Sequence, residues 1–80
     1  MKKIPRDLSG KELIKKLKRY DYEPTRQTGS HIRLTTQQNG EHHITIPDHT
    51  TLRIGTLSAI LQDIAQHLGK TKTEIVEEIF

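Results

Sequence analysis

The sequence contains no cysteine and no tryptophan, and its Phe and Tyr residues number only three: Tyr20, Tyr22 and Phe80. Without cysteine, no disulfide can crosslink the chain and no thiolate can bind a metal. This composition fits a reducing compartment, and we expect the protein to be cytoplasmic. No apolar run approaches the roughly 20 residues that a membrane-spanning helix needs, so we expect no membrane partner. Residues 1–5 include lysines but no apolar segment follows them, unlike a secretory signal.

Apolar residues are also scarce, at 31% of an 80-residue chain. A chain of this size has room for one domain with one small core, and we assign residues 1–80 to it. We therefore expect thin packing and marginal stability.

The positive charge is concentrated near the beginning of the chain, within a formal net charge of +3. Eight of the 13 Lys and Arg residues lie in the first 19 positions, and Arg26 follows them. The C-terminal end instead carries Glu74, Glu77 and Glu78. The sequence thus predicts a basic side, which favours nucleic acid or another acidic partner.

Three segments have helical patterns. Ser9-Gly10-Lys11-Glu12 has the form of a capping box and opens an amphipathic helix over residues 10–20, with apolar residues at Leu13, Ile14 and Leu17. Lys11, Lys15 and Lys18 share another face, which is either a solvated surface or a phosphate-binding one, and the pattern does not favour either. A second helix begins with Thr56 as its cap and ends at Gly69. A second capping box, Thr71-Lys72-Thr73-Glu74, opens a short third helix.

Three strands are predicted between the first two helices, over residues 22–27, 30–36 and 41–46. A two-residue loop at Asn39-Gly40 would pair Leu34 with Thr45, which places the isoleucines of the two strands on opposite faces. A three-residue loop, Gln38-Asn39-Gly40, instead pairs Leu34 with Ile44 and puts Gly40 at the left-handed position. The second register leaves three side chains on the outer face, His31, Arg33 and Thr35, opposite Pro47, Thr45 and His43.

The predicted order is helix, three antiparallel strands, helix and terminal helix. With both longer helices on one face of the sheet, this is a two-layer α+β fold. The outer face of the sheet remains open.

The segment Gly29-Ser30-His31 is the best candidate for chemistry. Histidine can both accept and donate a proton near neutral pH. The glycine allows close approach of backbone and substrate, and the serine adds a small hydrogen-bonding group. From spacing alone, however, a strand histidine such as His31 is more often an ordinary surface residue than a catalyst.

The other histidines do not form a metal-binding pattern. His42 and His43 are adjacent on a strand, so their rings point to opposite faces. His31 and His43 share a face but lie about 13 Å apart at roughly 3.3 Å per residue, so we expect no metal site and no cofactor. We interpret His42, His43 and His67 as ordinary surface residues. We interpret His49 as a loop residue that hydrogen-bonds to backbone, in preference to one that reaches His31.

Four segments occur in the chain in this order: Ile4-Pro5 with Ser9-Gly10-Lys11-Glu12, Arg26-Gln27-Thr28-Gly29-Ser30-His31, Ile46-Pro47-Asp48-His49, and Gly55-Thr56-Leu57 followed by Ile60-Leu61. On these segments the chain resembles the HicA family of small mRNA interferase toxins over residues 4 to about 68. The resemblance implies a fold like that of a double-stranded-RNA-binding domain (α-β-β-β-α), here with an extra short helix. It also implies a metal-independent ribonuclease that cleaves mRNA and pairs with a HicB-type antitoxin protein.

By the same resemblance, His31 is the catalytic residue, and Gly29 and Ser30 shape its site. We expect Arg33, together with Lys11 and Lys15 of the first helix, to bind phosphate. The chain departs from the family at Asp21, where glycine is usual before an aromatic residue, and this should alter only a turn. Three neutral residues, Ser58, Ala59 and Gln62, stand where duplex-RNA binders have lysines, so we expect a single-stranded or locally structured mRNA substrate.

Two other functions remain open at this stage. A noncatalytic RNA-binding module of the same fold would retain RNA with a salt-dependent affinity and leave it intact. A protein-interaction domain would show no RNA binding even at low salt.

Overall fold

The computed structural model describes residues 2–80. Its three strands form one antiparallel sheet in the order β1-β2-β3. Two helices follow the sheet, and this arrangement confirms the predicted α+β fold with its additional C-terminal helix. The elements in chain order are α1 (Gly10–Leu17), a 3₁₀ turn (Lys18–Tyr20), β1 (Glu23–Thr28), β2 (His31–Thr36), β3 (His42–Pro47), α2 (Ile54–Leu68) and α3 (Lys72–Ile79).

The predicted register of β2 and β3 is confirmed. Leu34 pairs with Ile44, and His31 pairs with Pro47. Inward-facing residues of both strands are buried, whereas the residues between them are exposed or half-buried. The ladder ends at Thr36 and His42, so the connection spans residues 37–41, longer than predicted. Asn39 as well as Gly40 has a positive φ there, at 58° and 98°.

The helices cover one face of the sheet and leave the other open. The core packs the inner residues of β2 and β3 against the apolar faces of the helices. None of the six side chains of β1 is buried, and the strand lies at the edge of the sheet, where a proline such as Pro24 is tolerated. The fully buried large side chains are Leu13, Leu17, Tyr22, Leu34, Ile46, Leu57, Leu61, Ile64 and Ile75. Within residues 2–80, no helix has the length and apolar character needed to cross a bilayer.

Both predicted capping boxes are present. Ser9 and Glu12 cap α1 reciprocally, and Thr71 and Glu74 do the same for α3. Gly69 ends α2 in the left-handed conformation, with φ of 67°. Asp21 also adopts this conformation after the 3₁₀ turn, with φ of 63°, which explains why glycine and the short polar residues suit that position.

The predicted start of α2 at Thr56 is wrong. The helix begins at Ile54 with Arg53 as its N-cap, and no side chain caps it. Leu52 is buried, and its N–H donates to the Leu8 carbonyl oxygen at 2.8 Å. Tertiary packing of Leu52 therefore fixes the chain just before the helix, and the helix starts there without needing the Thr56 hydroxyl.

Candidate active site

His31 is the first residue of β2 and lies on the open face of the sheet. It pairs with Thr28 of β1 and with Pro47 of β3, and its side chain is exposed. The preceding turn contains Gly29, whose φ of +58° belongs to the left-handed region that favours glycine. The sequence thus places an imidazole at the rim of the sheet, directly after a turn that only a residue tolerant of positive φ can make.

The His31 side chain lines a shallow pocket of about 210 Å³ on this face. All three strands contribute to the pocket, whose lining residues are Arg26, Thr28, His31, Arg33 and Thr45. The lining combines one imidazole, two guanidinium groups and two hydroxyl groups, and it includes no carboxylate. Such a set of hydrogen-bond donors suits a phosphate group, because guanidinium ions form bidentate hydrogen bonds with phosphate oxygens.

The structure brings together only some of the residues predicted for the site. Arg33 lies two residues beyond His31 on the same strand and lines the same pocket. Lys11 and Lys15 do not line it. They line a separate groove of about 320 Å³ between α1 and β1, together with Ile14, Lys18, Pro24, Gln27 and Ile32.

Gly29 and Ser30 lie beside His31 but form the turn rather than the pocket wall. The Ser30 carbonyl oxygen accepts a 2.6 Å hydrogen bond from the N–H of Asp48. The Gly29 carbonyl oxygen accepts one of 3.1 Å from the side-chain amide of Gln27. These contacts fix the turn against the end of β3 and so determine where His31 enters the sheet.

Arg26 is the site residue that sequence reasoning missed. The chain offers two signals for it: Arg26 belongs to the basic residues near the N-terminus, and it begins the segment that ends in His31. Neither signal indicates the face of the sheet to which its side chain points, because that depends on how β1 pairs with β2.

His49 does not line the His31 pocket. Its carbonyl oxygen accepts a 3.0 Å hydrogen bond from the N–H of Gly10, so its backbone holds the start of α1. The side chain is exposed and lines a different depression, beside Arg53 and Thr56. This contact involves the His49 backbone and not its ring, so the predicted hydrogen bond from the ring to backbone stays a prediction.

The interpretation of His42 and His67 as ordinary surface histidines is wrong. Their rings stack on each other, and the side chain of His42 is only 19% exposed. His42 contacts the Tyr22 hydroxyl through Nδ1 at 2.8 Å and Asp63 through Nε2 at 3.2 Å. The contacts of His42, the first residue of β3, with α2 depend on tertiary packing, which local sequence patterns do not reveal.

His43 is an exposed outer-face residue, as predicted, and its ring contacts Thr35 and Glu41. Within residues 2–80, no three His, Cys, Asp or Glu side chains are grouped as potential metal ligands.

The fold and the site together define a small α+β domain with an exposed histidine and two arginines in a pocket on the open face of its sheet. The chain belongs to the HicA toxin family: the family model described as HicA toxin of bacterial toxin-antitoxin matches residues 10–65. The match begins at the first residue of α1 and ends within α2, so it includes the whole sheet and the His31 pocket. No curated protein and no solved structure matches the chain significantly.

Proposed function

We propose that this toxin is an endoribonuclease that cleaves mRNA without a metal cofactor, with His31 as its general acid or base. The observation that carries the proposal is the exposed His31 imidazole in a pocket that also contains Arg26 and Arg33. An RNA backbone supplies both groups that this pocket suits, because it has a phosphate for the guanidinium ions and a ribose hydroxyl for the imidazole.

In the proposed reaction, the ribose 2′-oxygen attacks the adjacent phosphorus. The 2′-O–P bond forms, the P–O5′ bond breaks, and the products are a 2′,3′-cyclic phosphate and a 5′-hydroxyl. In one form of the reaction, neutral His31 accepts the proton of the 2′-hydroxyl while water protonates the departing 5′-oxygen. In the other, protonated His31 donates a proton to the departing 5′-oxygen while water accepts the proton of the 2′-hydroxyl. One positioned acid or base supplies roughly 10²–10⁴-fold in rate, so we expect a slow enzyme with little sequence selectivity.

Single-stranded or locally folded mRNA is the proposed substrate. The first turns of α2 carry the neutral residues Ser58, Ala59 and Gln62 in place of a lysine cluster. An unpaired strand can also turn its ribose toward a shallow pocket more easily than a long duplex can. Translated mRNA makes the cytoplasm the proposed location.

A HicB-type antitoxin is the proposed protein partner. Because the His31 pocket is open and lined by two guanidinium groups, an inhibitor that covers it needs acidic groups for electrostatic complementarity. We expect such a partner to exclude RNA from the pocket as it binds.

The deciding experiment compares the His31→Ala variant with a His43→Ala control. Both residues are exposed histidines on the open face, but His43 lies four pairs along the sheet from the pocket. We expect His31→Ala to bind an end-labelled RNA yet cleave it at least 100-fold more slowly, whereas His43→Ala should cleave normally. Each protein is assayed in parallel with and without a chelator, and activity that disappears on chelation would contradict the metal-free mechanism.

Each of the other outcomes assigns a different function. Normal cleavage by His31→Ala would show that the imidazole is not the catalyst. RNA that the wild-type protein binds but leaves intact would indicate the noncatalytic RNA-binding module. Absence of RNA binding at low salt would indicate a protein-interaction domain.

A further inference from the structure

The pairing of β1 with β2 contains a β-bulge at Thr25. Pro24 pairs with Leu34, and the next pair joins Arg26 to Arg33, so Thr25 is an extra residue on the edge strand. The Thr25 hydroxyl lies 2.8 Å from the Thr35 hydroxyl and contacts the Arg33 carbonyl oxygen at 3.4 Å. Thr25 thus lies on the same open face as Thr35.

This bulge decides which way Arg26 points. In a regular strand successive side chains alternate, so with Thr25 facing outward Arg26 would face the helices. In a bulge, two successive residues oppose a single residue of the neighbouring strand, and the alternation is interrupted. Arg26 therefore lines the His31 pocket, whereas the next residue, Gln27, lines the groove beneath α1.

We infer that the bulge at Thr25 creates an anion subsite, formed by Arg26 and Arg33, that binds an RNA backbone phosphate beside His31. The inference rests on the proposed function, because it names the substrate group that the pocket holds. Arg33 lies two residues from His31, roughly 7 Å along the strand. A phosphate bound by the two guanidinium groups therefore leaves the neighbouring ribose near the imidazole.

The electrostatics of the arginine pair favour a bound anion. Arg26 and Arg33 are direct cross-strand partners, and like charges in that relation destabilise a sheet. Within residues 2–80, neither guanidinium group has an ion pair with a carboxylate. The carboxylate of Glu41 is instead hydrogen-bonded to His43 and Gln37. The Glu41 carboxylate interacts with Arg33 only at longer range, without an ion pair. A phosphate between the two arginines would supply the direct negative charge that balances their repulsion.

The test measures binding of a fluorescent 2′-O-methyl RNA oligonucleotide, which has no free 2′-hydroxyl and so is not cleaved. Arg26→Gln should weaken its affinity about tenfold, the effect of losing hydrogen bonds to a charged group. The double variant Arg26→Gln/Gln27→Arg has the wild-type composition and net charge, but its arginine faces the groove under α1. We expect its affinity to be as low as that of Arg26→Gln.

A charge-matched control is Lys3→Gln, at an exposed position before α1. The affinity of Lys3→Gln should stay within about threefold of that of the wild type, and the slope of its log Kd against log salt concentration should change little. Loss of Arg26 should lower this slope by about one, the expected effect of one lost phosphate contact. Thermal unfolding of each variant verifies that these exposed substitutions leave the fold intact.

The inference is overturned if the double variant binds like the wild type, since only net charge would then matter. It is equally overturned if Arg26→Gln binds no more weakly than Lys3→Gln. Because the probe is not cleaved, these results are independent of catalysis. If Arg26→Gln weakens binding but the wild-type protein never cleaves natural RNA, the inferred subsite stands and the proposed nuclease activity is refuted.

Discussion

The imidazole rings of His42 and His67 stack face to face, with their centroids 4.3 Å apart and their planes within 10° of parallel. The Nε2 atom of His67 lies 2.9 Å and 3.0 Å from the carbonyl oxygens of Gln38 and Gly40. Carbonyl oxygens only accept hydrogen bonds, so this nitrogen carries the proton. Asn39 returns a 2.8 Å hydrogen bond to the His67 carbonyl oxygen, and the end of α2 is thereby attached to the β2–β3 loop.

Replacing His67 with alanine should therefore destabilise the protein. We expect the free energy of unfolding to fall by about 1–3 kcal/mol, because the loop carbonyl groups lose their donor and His42 loses its stacking partner. Urea denaturation followed by circular dichroism measures this change. His43→Ala, which removes only contacts of an exposed ring, should change the free energy by no more than about 0.5 kcal/mol. A His67→Ala protein as stable as the wild type would show that neither the stack nor the hydrogen bonds to the loop contribute to stability.

The two tyrosines should resist ionisation in the folded protein. Burial raises the pKa of Tyr22 to about 12. Burial also raises the pKa of Tyr20, and its 2.5 Å hydrogen bond to the Glu78 carboxylate raises it further. A folded-state pKa above the unfolded value of about 10 means that this contribution to stability is complete below pH about 10 and is lost as the pH rises further.

The near-ultraviolet absorbance of the phenolate measures this titration directly, since the chain has no tryptophan. The native protein should show little phenolate at pH about 11, whereas in concentrated guanidinium chloride both tyrosines should titrate near pH 10. A native tyrosine that titrates at the unfolded value would contradict the burial seen for these two side chains.

Local chemistry explains which parts of the fold the sequence predicts. The capping boxes at Ser9 and Thr71 depend on residues three positions apart, and the register of β2 with β3 follows from alternating isoleucines and a short loop. The same local chemistry marks Gly29-Ser30-His31 as a candidate site. These features need no knowledge of distant parts of the chain.

The features that local sequence patterns do not predict depend on contacts between distant segments of the chain. Arg26 faces the His31 pocket only because β1 bulges at Thr25 against β2. The stack of His42 and His67 forms only when α2 packs beside the β2–β3 loop. Leu52, rather than Thr56, sets the start of α2 through its contact with Leu8. Each of these outcomes is decided by tertiary packing, which overrides local propensity.

The buried hydroxyl of Thr36 offers a further test of stability. Thr36 is 1% exposed, and its hydroxyl donates to the Tyr20 carbonyl oxygen at 2.7 Å while accepting from the N–H of Gln38 at 3.1 Å. Thr36→Val keeps the shape but leaves both backbone groups without their partner. We expect the free energy of unfolding, measured by urea denaturation, to fall by about 1–3 kcal/mol.

Thr36→Ser is the matched control, because it keeps the hydroxyl and removes only a methyl group. Its loss should be about 1 kcal/mol, the value of one buried methyl group. A valine variant as stable as the wild type would mean that the two hydrogen bonds do not contribute.

The start of α1 is locked against the end of β3, and two glycine substitutions separate this contact from helix propensity. A Cβ at Gly10 would collide with the carbonyl oxygen of Pro47, whereas a Cβ at Gly55, in the first turn of α2, meets nothing within 4 Å. Helix propensity alone favours alanine over glycine at either position, by up to about 1 kcal/mol. We therefore expect Gly55→Ala to raise the melting temperature and Gly10→Ala to lower it.

The Gly10→Ala substitution should also alter the backbone around the candidate active site. Pro47 is the cross-strand partner of His31, and the Gly10 N–H donates at 3.0 Å to the carbonyl oxygen of His49, two residues after Pro47. Because the atoms that the added Cβ would meet are backbone atoms of Pro47 and Asp48, relieving the collision requires a shift of α1 or of the end of β3. Amide chemical shifts near His31 should therefore change in Gly10→Ala and remain constant in Gly55→Ala. A Gly10→Ala protein that is more stable than the wild type, with unchanged shifts at His31, would show that the two elements are not in close contact in solution.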